Sequence, residues 1–213
     1  DFPPTLSPLQ HRSSVCAEFN NTAPKRCMVT GGTGFVGMRL VEMLVQRGAE
    51  RVVSFDIVPP PAEAWRHPAI EWKIGDITDA AAVAEACSGG IDVVFHIAAA
   101  VGPYHPQTLY RKVNYQGTLN VLAGCKAHGV PKLVMSSSPS TRFDGSDVDG
   151  FTEAQMPTLP MKSYLAPYAE TKALGEMAVS EACCPELLTI NVAPHQVYGP
   201  RDNLFMPNIL ESC

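Results

Sequence analysis

The chain has 213 residues, 46% hydrophobic and 17% charged, so it can bury one sizeable core and reads as a single globular unit. Its net charge of −5 leaves no basic surplus to neutralise phosphates, which excludes a nucleic-acid-binding surface as its main business. The seven cysteines are odd in number, form no CxxC pair and have no histidine cluster beside them, which argues for free thiols in a reducing compartment and against a metal site.

Residues 1–24 are rich in Pro, Ser, Thr and Asn without periodicity and read as a disordered leader or a processing remnant ahead of one domain over 25–213. The segment lacks the apolar centre of a secretory signal. Asn20-Asn21-Thr22 fits a glycosylation sequon, but the reduced-thiol reading speaks against its use.

Arg26 to Thr30 is a short apolar run that leads straight into Gly31-Gly32-Thr33-Gly34-Phe35-Val36-Gly37. The run predicts a buried strand, and the apolar spacing of Leu40, Val41, Leu44 and Val45 predicts a helix closed at Gly48. Arg51–Asp56 reads as a second strand with an acid at its tip, and Pro59-Pro60-Pro61 ends it in a loop. Ile70–Gly75 is a third strand. Thr78 or Asp79 caps an Ala-rich helix to Cys87, which Gly89-Gly90 stops.

Asp92–Ala98 gives a fourth strand, a long helix follows over about Leu109–His128, and Lys132–Ser136 gives a fifth strand. Tyr168–Cys183 reads as helix and Leu187–Val192 as a sixth strand. The apolar run around Val93–Val101 is broken by His96 and ends at Gly102-Pro103, far short of the roughly 20 residues a membrane span requires. Strands alternating with helices imply right-handed β-α-β units and a doubly wound, parallel α/β sheet of Rossmann type.

Gly31, Gly34 and Gly37 recur every third residue, where a tight turn, close approach to a pyrophosphate and close helix–strand packing each require glycine. The helix opening there offers free N–H groups to a diphosphate. Alone, such a turn is weak evidence. Here it follows a strand, opens a helix and precedes Asp56, 19 residues past Gly37, which is placed to accept from ribose hydroxyls and to repel a 2′-phosphate. That favours NAD over NADP.

Tyr168 and Lys172 share a helix face. For a tyrosine to act as a base near neutrality its pKa must drop by about 3 units, or about 4 kcal/mol. An ammonium about 4 Å away supplies about that much at an effective dielectric near 20. Ser136-Ser137-Ser138 lies at the C-terminal end of a parallel strand, where ligands of such sheets bind. His96, at the end of a buried strand, reads as a packed, hydrogen-bonded histidine and not as an acid or base.

Taken in order, Thr30–Gly37, Gly75-Asp76-Ile77, His96-Ile97-Ala98-Ala99, Asn114-Tyr115-Gln116-Gly117-Thr118, the serine run, Tyr168/Lys172 and Tyr198-Gly199-Pro200-Arg201 resemble an extended short-chain dehydrogenase/reductase. Ser137-Ser138-Pro139-Ser140, Phe143-Asp144-Gly145, Glu170-Thr171-Lys172-Ala173 and Pro194–Asp202 are similar to its 3β-hydroxysteroid dehydrogenase branch, nearest the members that act on sterol 4α-carboxylates.

The resemblance implies oxidation of a sterol 3β-hydroxyl, with hydride passing to NAD and the proton to Tyr168. In the decarboxylating version the new ketone stabilises the carbanion left as the 4-carboxylate departs. By position, Ser138 orients the substrate oxygen, Tyr168 is the acid/base, Lys172 holds the ribose and lowers the Tyr168 pKa, and Asn114 is structural or relays protons. Gly31, Gly34 and Gly37 meet the diphosphate, Asp56 the ribose, and Asp76 and Ile77 the adenine. Phe35, Val36, Ala98, Ala99 and Pro194 complete the cofactor site.

The same resemblance implies a small-molecule sterol or steroid partner, a homodimer as one compatible assembly, and the cytosolic side of the endoplasmic reticulum as location. Any membrane association is expected through a C-terminal part beyond this sequence. Two departures stand out. Ala193 replaces the arginine usual in the family, and the sequence stops at Cys213, before the part that builds most of the substrate pocket. Two other readings share parts of the motif set. One is a nucleotide-sugar epimerase or dehydratase, against which Phe143-Asp144-Gly145 and Pro194-His195 count. The other is a non-catalytic nucleotide-binding subunit, which the intact Ser138/Tyr168/Lys172 set opposes.

Overall fold

The computed structural model describes residues 22–102, 105–202 and 205–211. Cys16, Cys213, Pro103, nearly all of the expected leader and both asparagines of the sequon lie outside them. Ala23 is already tied to the domain, donating its N–H to the Arg47 carbonyl at 3.0 Å.

Six strands form one parallel sheet in the order β3-β2-β1-β4-β5-β6: β1 (Arg26–Thr30), β2 (Arg51–Asp56), β3 (Ile70–Ile74), β4 (Val93–His96), β5 (Lys132–Ser136) and β6 (Leu188–Val192). Each boundary falls within one residue of the predicted one, except at the end of β4, which stops at His96, two residues short of the expected Ala98. The parallel arrangement follows from the helices between strands, which cover both faces and leave the central strands dry. In β1 the side chains alternate, Met28 toward one apolar cluster and Cys27 and Val29 toward the other.

Helix α1 (Phe35–Gln46) packs Val41 and Leu44 on one face, and Gly48 follows it at φ +91°. On the other face lie α2 (Ala80–Cys87), whose Asp79 cap accepts from the Ala81 and Ala82 N–H groups, and α4 (Thr118–Ala127) and α5 (Pro167–Glu181). Among the described residues β6 pairs only with β5, at the sheet edge, and Leu188, Ile190 and Val192 on one of its faces stay about half exposed. A last short helix, α6, spans Phe205–Glu211. No helix among the described residues is long and apolar enough to cross a membrane.

The helix expected over Leu109–His128 is not continuous. A short α3 (Gln107–Tyr110) runs into a seven-residue π-helical stretch, Arg111–Gly117, before α4 begins. Tertiary contacts explain the widened turn. The Asn114 side chain accepts from the Ala100 N–H at 2.8 Å and donates to the Ala100 carbonyl at 3.1 Å, while the Asn114 carbonyl accepts from the Thr118 hydroxyl. Residues inserted into a helical ladder in this way mark functional sites often.

His96 closes the network. Because Thr118 spends its hydroxyl hydrogen on Asn114, its oxygen must accept from His96 Nε2–H at 2.9 Å, and His96 Nδ1 then accepts from the Thr30 hydroxyl at 2.8 Å. Thr30 Oγ1 in turn accepts from the Ile97 and Ala98 N–H groups. Burial, and secondly the charge of Lys172, push the His96 pKa down from 6.5 to about 3.

This has a definite sign. The unfolded chain takes up a proton below pH 6.5 that the folded protein refuses until about pH 3, so stability is lost as pH falls through that window. Urea melts should show the wild type losing about 3 kcal/mol more than His96→Gln between pH 7 and pH 4.5.

Candidate active site

In an open parallel sheet the ligand crevice lies where the strand order reverses, here between the C-terminal ends of β1 and β4. The turn after β1 is shaped by absent side chains. Gly31 sits at φ +69°, and a Cβ on it would lie 2.9 Å from the Ala98 backbone. A Cβ on Gly37 would collide with the Gly31 carbonyl, so α1 could not close down on the strand. Gly34 caps α1 with no side-chain bond, leaving the first-turn amides of that helix facing the crevice.

Asp56, at the tip of β2, is held beside the turn by the Thr33 N–H at 3.0 Å and the Ile57 N–H at 2.7 Å. Asp76 accepts from the Thr78 N–H, and the Ile77 carbonyl is held by Asn120 at 2.9 Å. These groups line one cleft of about 550 Å³ that also takes in Phe35, Val36, Ala98, Ala99, Ser138, Tyr168, Lys172 and Pro194. A second cleft of about 540 Å³ adjoins it, sharing Ser138 and Pro194 and walled by Phe143, Val148 and Met156.

Asn114 is not in the cleft wall. It is buried one layer behind, reaching Thr171 on α5 at 3.4 Å as well as Ala100. Tyr110, which no local pattern singles out, packs edge-on to Tyr168 with ring centroids 6.1 Å apart. Ile57 and Val197 also line the cleft; both come from irregular segments whose approach depends on the finished fold.

The electrostatics differ from the simple charge-pair expectation. Burial raises the Tyr168 pKa above 10, the hydrogen bond with Ser138 pulls it back, and Tyr110 adds to the rise. Lys172 lies one turn on along the same face of α5. Its ammonium donates to the Ser136 carbonyl, and burial brings its own pKa down from 10.5 to about 8, opposed by the Glu176 carboxylate. The hydrogen bond from Ser138 thus favours the phenolate against the burial that opposes it.

A diphosphate-bearing dinucleotide fits what is present: bare amides at a helix start, a turn pressed onto Ala98 that only glycine permits, and a carboxylate at the second strand tip. Residues 28–213 match the model of the 3-beta hydroxysteroid dehydrogenase/isomerase family. The chain belongs to that family.

Among its relatives, the human sterol-4-alpha-carboxylate 3-dehydrogenase, decarboxylating, is 37% identical over 196 residues, covering 91% of this chain and 50% of the relative. The 2-alkyl-3-oxoalkanoate reductase of Stenotrophomonas maltophilia is 35% identical, covering 87% of this chain and 55% of its own. Among solved structures, MoeE5 in complex with UDP-glucuronic acid and NAD superposes with a TM-score of 0.73 at 27% identity, over 88% of this chain and 60% of that one. The chain thus spans about half the length of the curated relatives it matches.

The steric reading of this family member's turn can be tested by stability alone. Gly37→Ala should cost about 1–3 kcal/mol in denaturant unfolding because the Gly31 carbonyl must move. Gly48→Ala, at positive φ but in open space, should cost about 1 kcal/mol.

Proposed function

We propose that the protein is an NAD-dependent oxidoreductase that oxidises the 3β-hydroxyl of a sterol or steroid, with a sterol 4α-carboxylate as the substrate of choice. The observation that carries this reading is the convergence of Ser138, Tyr168 and Lys172 on the cleft whose far end is built by the glycine turn and Asp56. The human and bovine relatives named for sterol 4α-carboxylates, 37% and 38% identical, support the substrate class. So does the second cleft, whose apolar Phe143, Val148 and Met156 suit a hydrocarbon ring system next to Ser138.

When bound in this cleft, NAD would supply the hydride acceptor. Gly31, Gly34, Phe35, Val36 and Gly37 would receive its diphosphate, Asp56 the adenosine ribose, and Asp76 and Ile77 the adenine. Ala98, Ala99 and Pro194 would border the nicotinamide half, and Lys172 would hold the second ribose. The Ser138 hydroxyl orients the substrate oxygen, and Tyr168 takes the hydroxyl proton as the carbon–hydrogen bond breaks. The Tyr168 pKa is held high by burial, so oxidation requires the positive charge of Lys172 and of the oxidised cofactor to stabilise the phenolate.

Once the 3-ketone exists, a neighbouring 4-carboxylate leaves as carbon dioxide, its bonding electrons passing into the enolate. Asn114 holds the loop at Ala100, after β4, against the π-helical stretch, a structural part. We assign the cytosolic face of the endoplasmic reticulum membrane, where sterol substrates partition.

A nucleotide sugar is the competing substrate, because MoeE5 was solved with UDP-glucuronic acid. Product analysis of the full-length protein with NAD and either a sterol 4α-carboxylate or a UDP-sugar separates the two, ketosterol supporting the proposal and an altered sugar overturning it. In that protein Tyr168→Phe should lower kcat about 10²–10⁴-fold while NAD affinity holds within a few-fold by calorimetry. Asp56→Ala should shrink the preference for NAD over NADP; an unchanged preference would remove the cofactor assignment.

A further inference from the structure

Tyr168, Lys172 and Glu176 recur every four residues on α5, so three successive turns present them on one face. Glu176 has no part in the chemistry above, yet it is 6% exposed and both its oxygens are engaged. Oε1 meets the Arg142 guanidinium at 2.6 Å. Oε2 accepts from the Ser137 hydroxyl and, at 3.4 Å, from the Thr141 hydroxyl. All three partners sit on the segment that leaves β5 and carries Ser138. A carboxylate is expensive to bury unless it is paired and hydrogen-bonded, and here every bond it makes lands on that one segment.

We propose that Glu176 is a positioning residue that clamps the Ser138 segment onto the helix bearing Tyr168 and Lys172 and places a negative charge behind the Lys172 ammonium. This rests on the oxidoreductase reading for its catalytic consequence, though the clamp itself does not. The groups around Lys172 come from several elements: Tyr168 and Glu176 on α5, the Ser136 carbonyl on β5 and neutral His96 on β4. Arg142 lies beyond Glu176, and Tyr110 of α3 beyond Tyr168. Among these groups Glu176 is the anion, and its charge opposes the burial that brings Lys172 down to about 8.

Two separable effects follow. Loss of the clamp loosens Ser138 against Tyr168 and lowers kcat. Loss of the charge makes Lys172 give up its proton at lower pH, so activity that needs the ammonium fails earlier on the alkaline side.

The test uses the full-length wild type, Glu176→Gln and Ser137→Ala, with sterol oxidation followed from pH 6 to pH 10 and amide hydrogen exchange followed over residues 137–142. Glu176→Gln should lower kcat about 10-fold at pH 8 with little change in KM for NAD, move the alkaline limb down by about one pH unit, and speed exchange in the segment. Ser137→Ala should lower kcat and leave the alkaline limb in place, because the charge remains. An alkaline limb that stays put in Glu176→Gln overturns the proposal whatever happens to kcat, since a merely structural residue would lower kcat alone. If the wild type turns over no sterol, the oxidoreductase reading fails by itself. Hydrogen exchange then still decides the clamp, faster exchange in Glu176→Gln supporting it and unchanged exchange overturning it.

Discussion

Lys172 is an ammonium buried to within 3% of full enclosure, and the surrounding structure is arranged around the cost of keeping it there. The displacement of its pKa from 10.5 to about 8 corresponds to about 3 kcal/mol against the charged form. A carbonyl from the end of β5 accepts its hydrogen, and a carboxylate one turn along α5 offsets part of the penalty. His96, which would add a second positive charge nearby, is kept neutral by burial and by a bonding pattern that fixes its hydrogen on Nε2. These are mutually dependent choices. A charged His96 or an unpartnered Lys172 would raise the cost of the whole cluster.

The other end of the cleft is governed by exclusion and not by charge. Gly31 must lie against the Ala98 backbone, and Gly37 must let α1 close onto the turn, so the path of the chain there is set by atoms that are missing. Asp56 is then drawn to the same place by two backbone amides. The His96 network joins the two ends: Thr30 immediately precedes the glycine turn, and Thr118 fastens the carbonyl of Asn114 in the widened helix turn. The nucleotide turn and the Tyr168 helix are linked through this buried polar chain as well as through the sheet.

The strands and most helices were legible because each is announced locally. Cys27, Met28 and Val29 run straight into a glycine turn, and Asp79 caps the Ala-rich helix α2. Many residues of the cleft, from Gly31 to Lys172, were legible for the same reason, as short motifs in a fixed order, but Ile57 and Val197 were not. The interruption at Arg111–Gly117 was not, because no local pattern marks a widened turn there and the cause lies in Ala100, Thr118 and the tight packing of Gly175 on the Asn114 carbonyl. The pairing of Tyr168 with Lys172 was correct as a shared face, but the spacing did not show that burial would dominate the phenol's pKa. Four-residue spacing says which face a side chain shares, not where its end group points, and Ser136 claims the ammonium.

What the sequence alone determined was therefore the order of strands and helices, the parallel sheet they imply, and the residue types at the glycine turn, the acid tip and the serine–tyrosine–lysine set. Those follow from hydrophobic period, backbone freedom and spacing, all of which act over a few residues. Only the tertiary structure decided the protonation and partnership of the buried groups: a raised Tyr168, a neutral His96, and a Glu176 turned toward Arg142 and Ser137. The reason is physical. Desolvation and hydrogen-bond competition depend on which distant segments close over a group, and no local pattern carries that information.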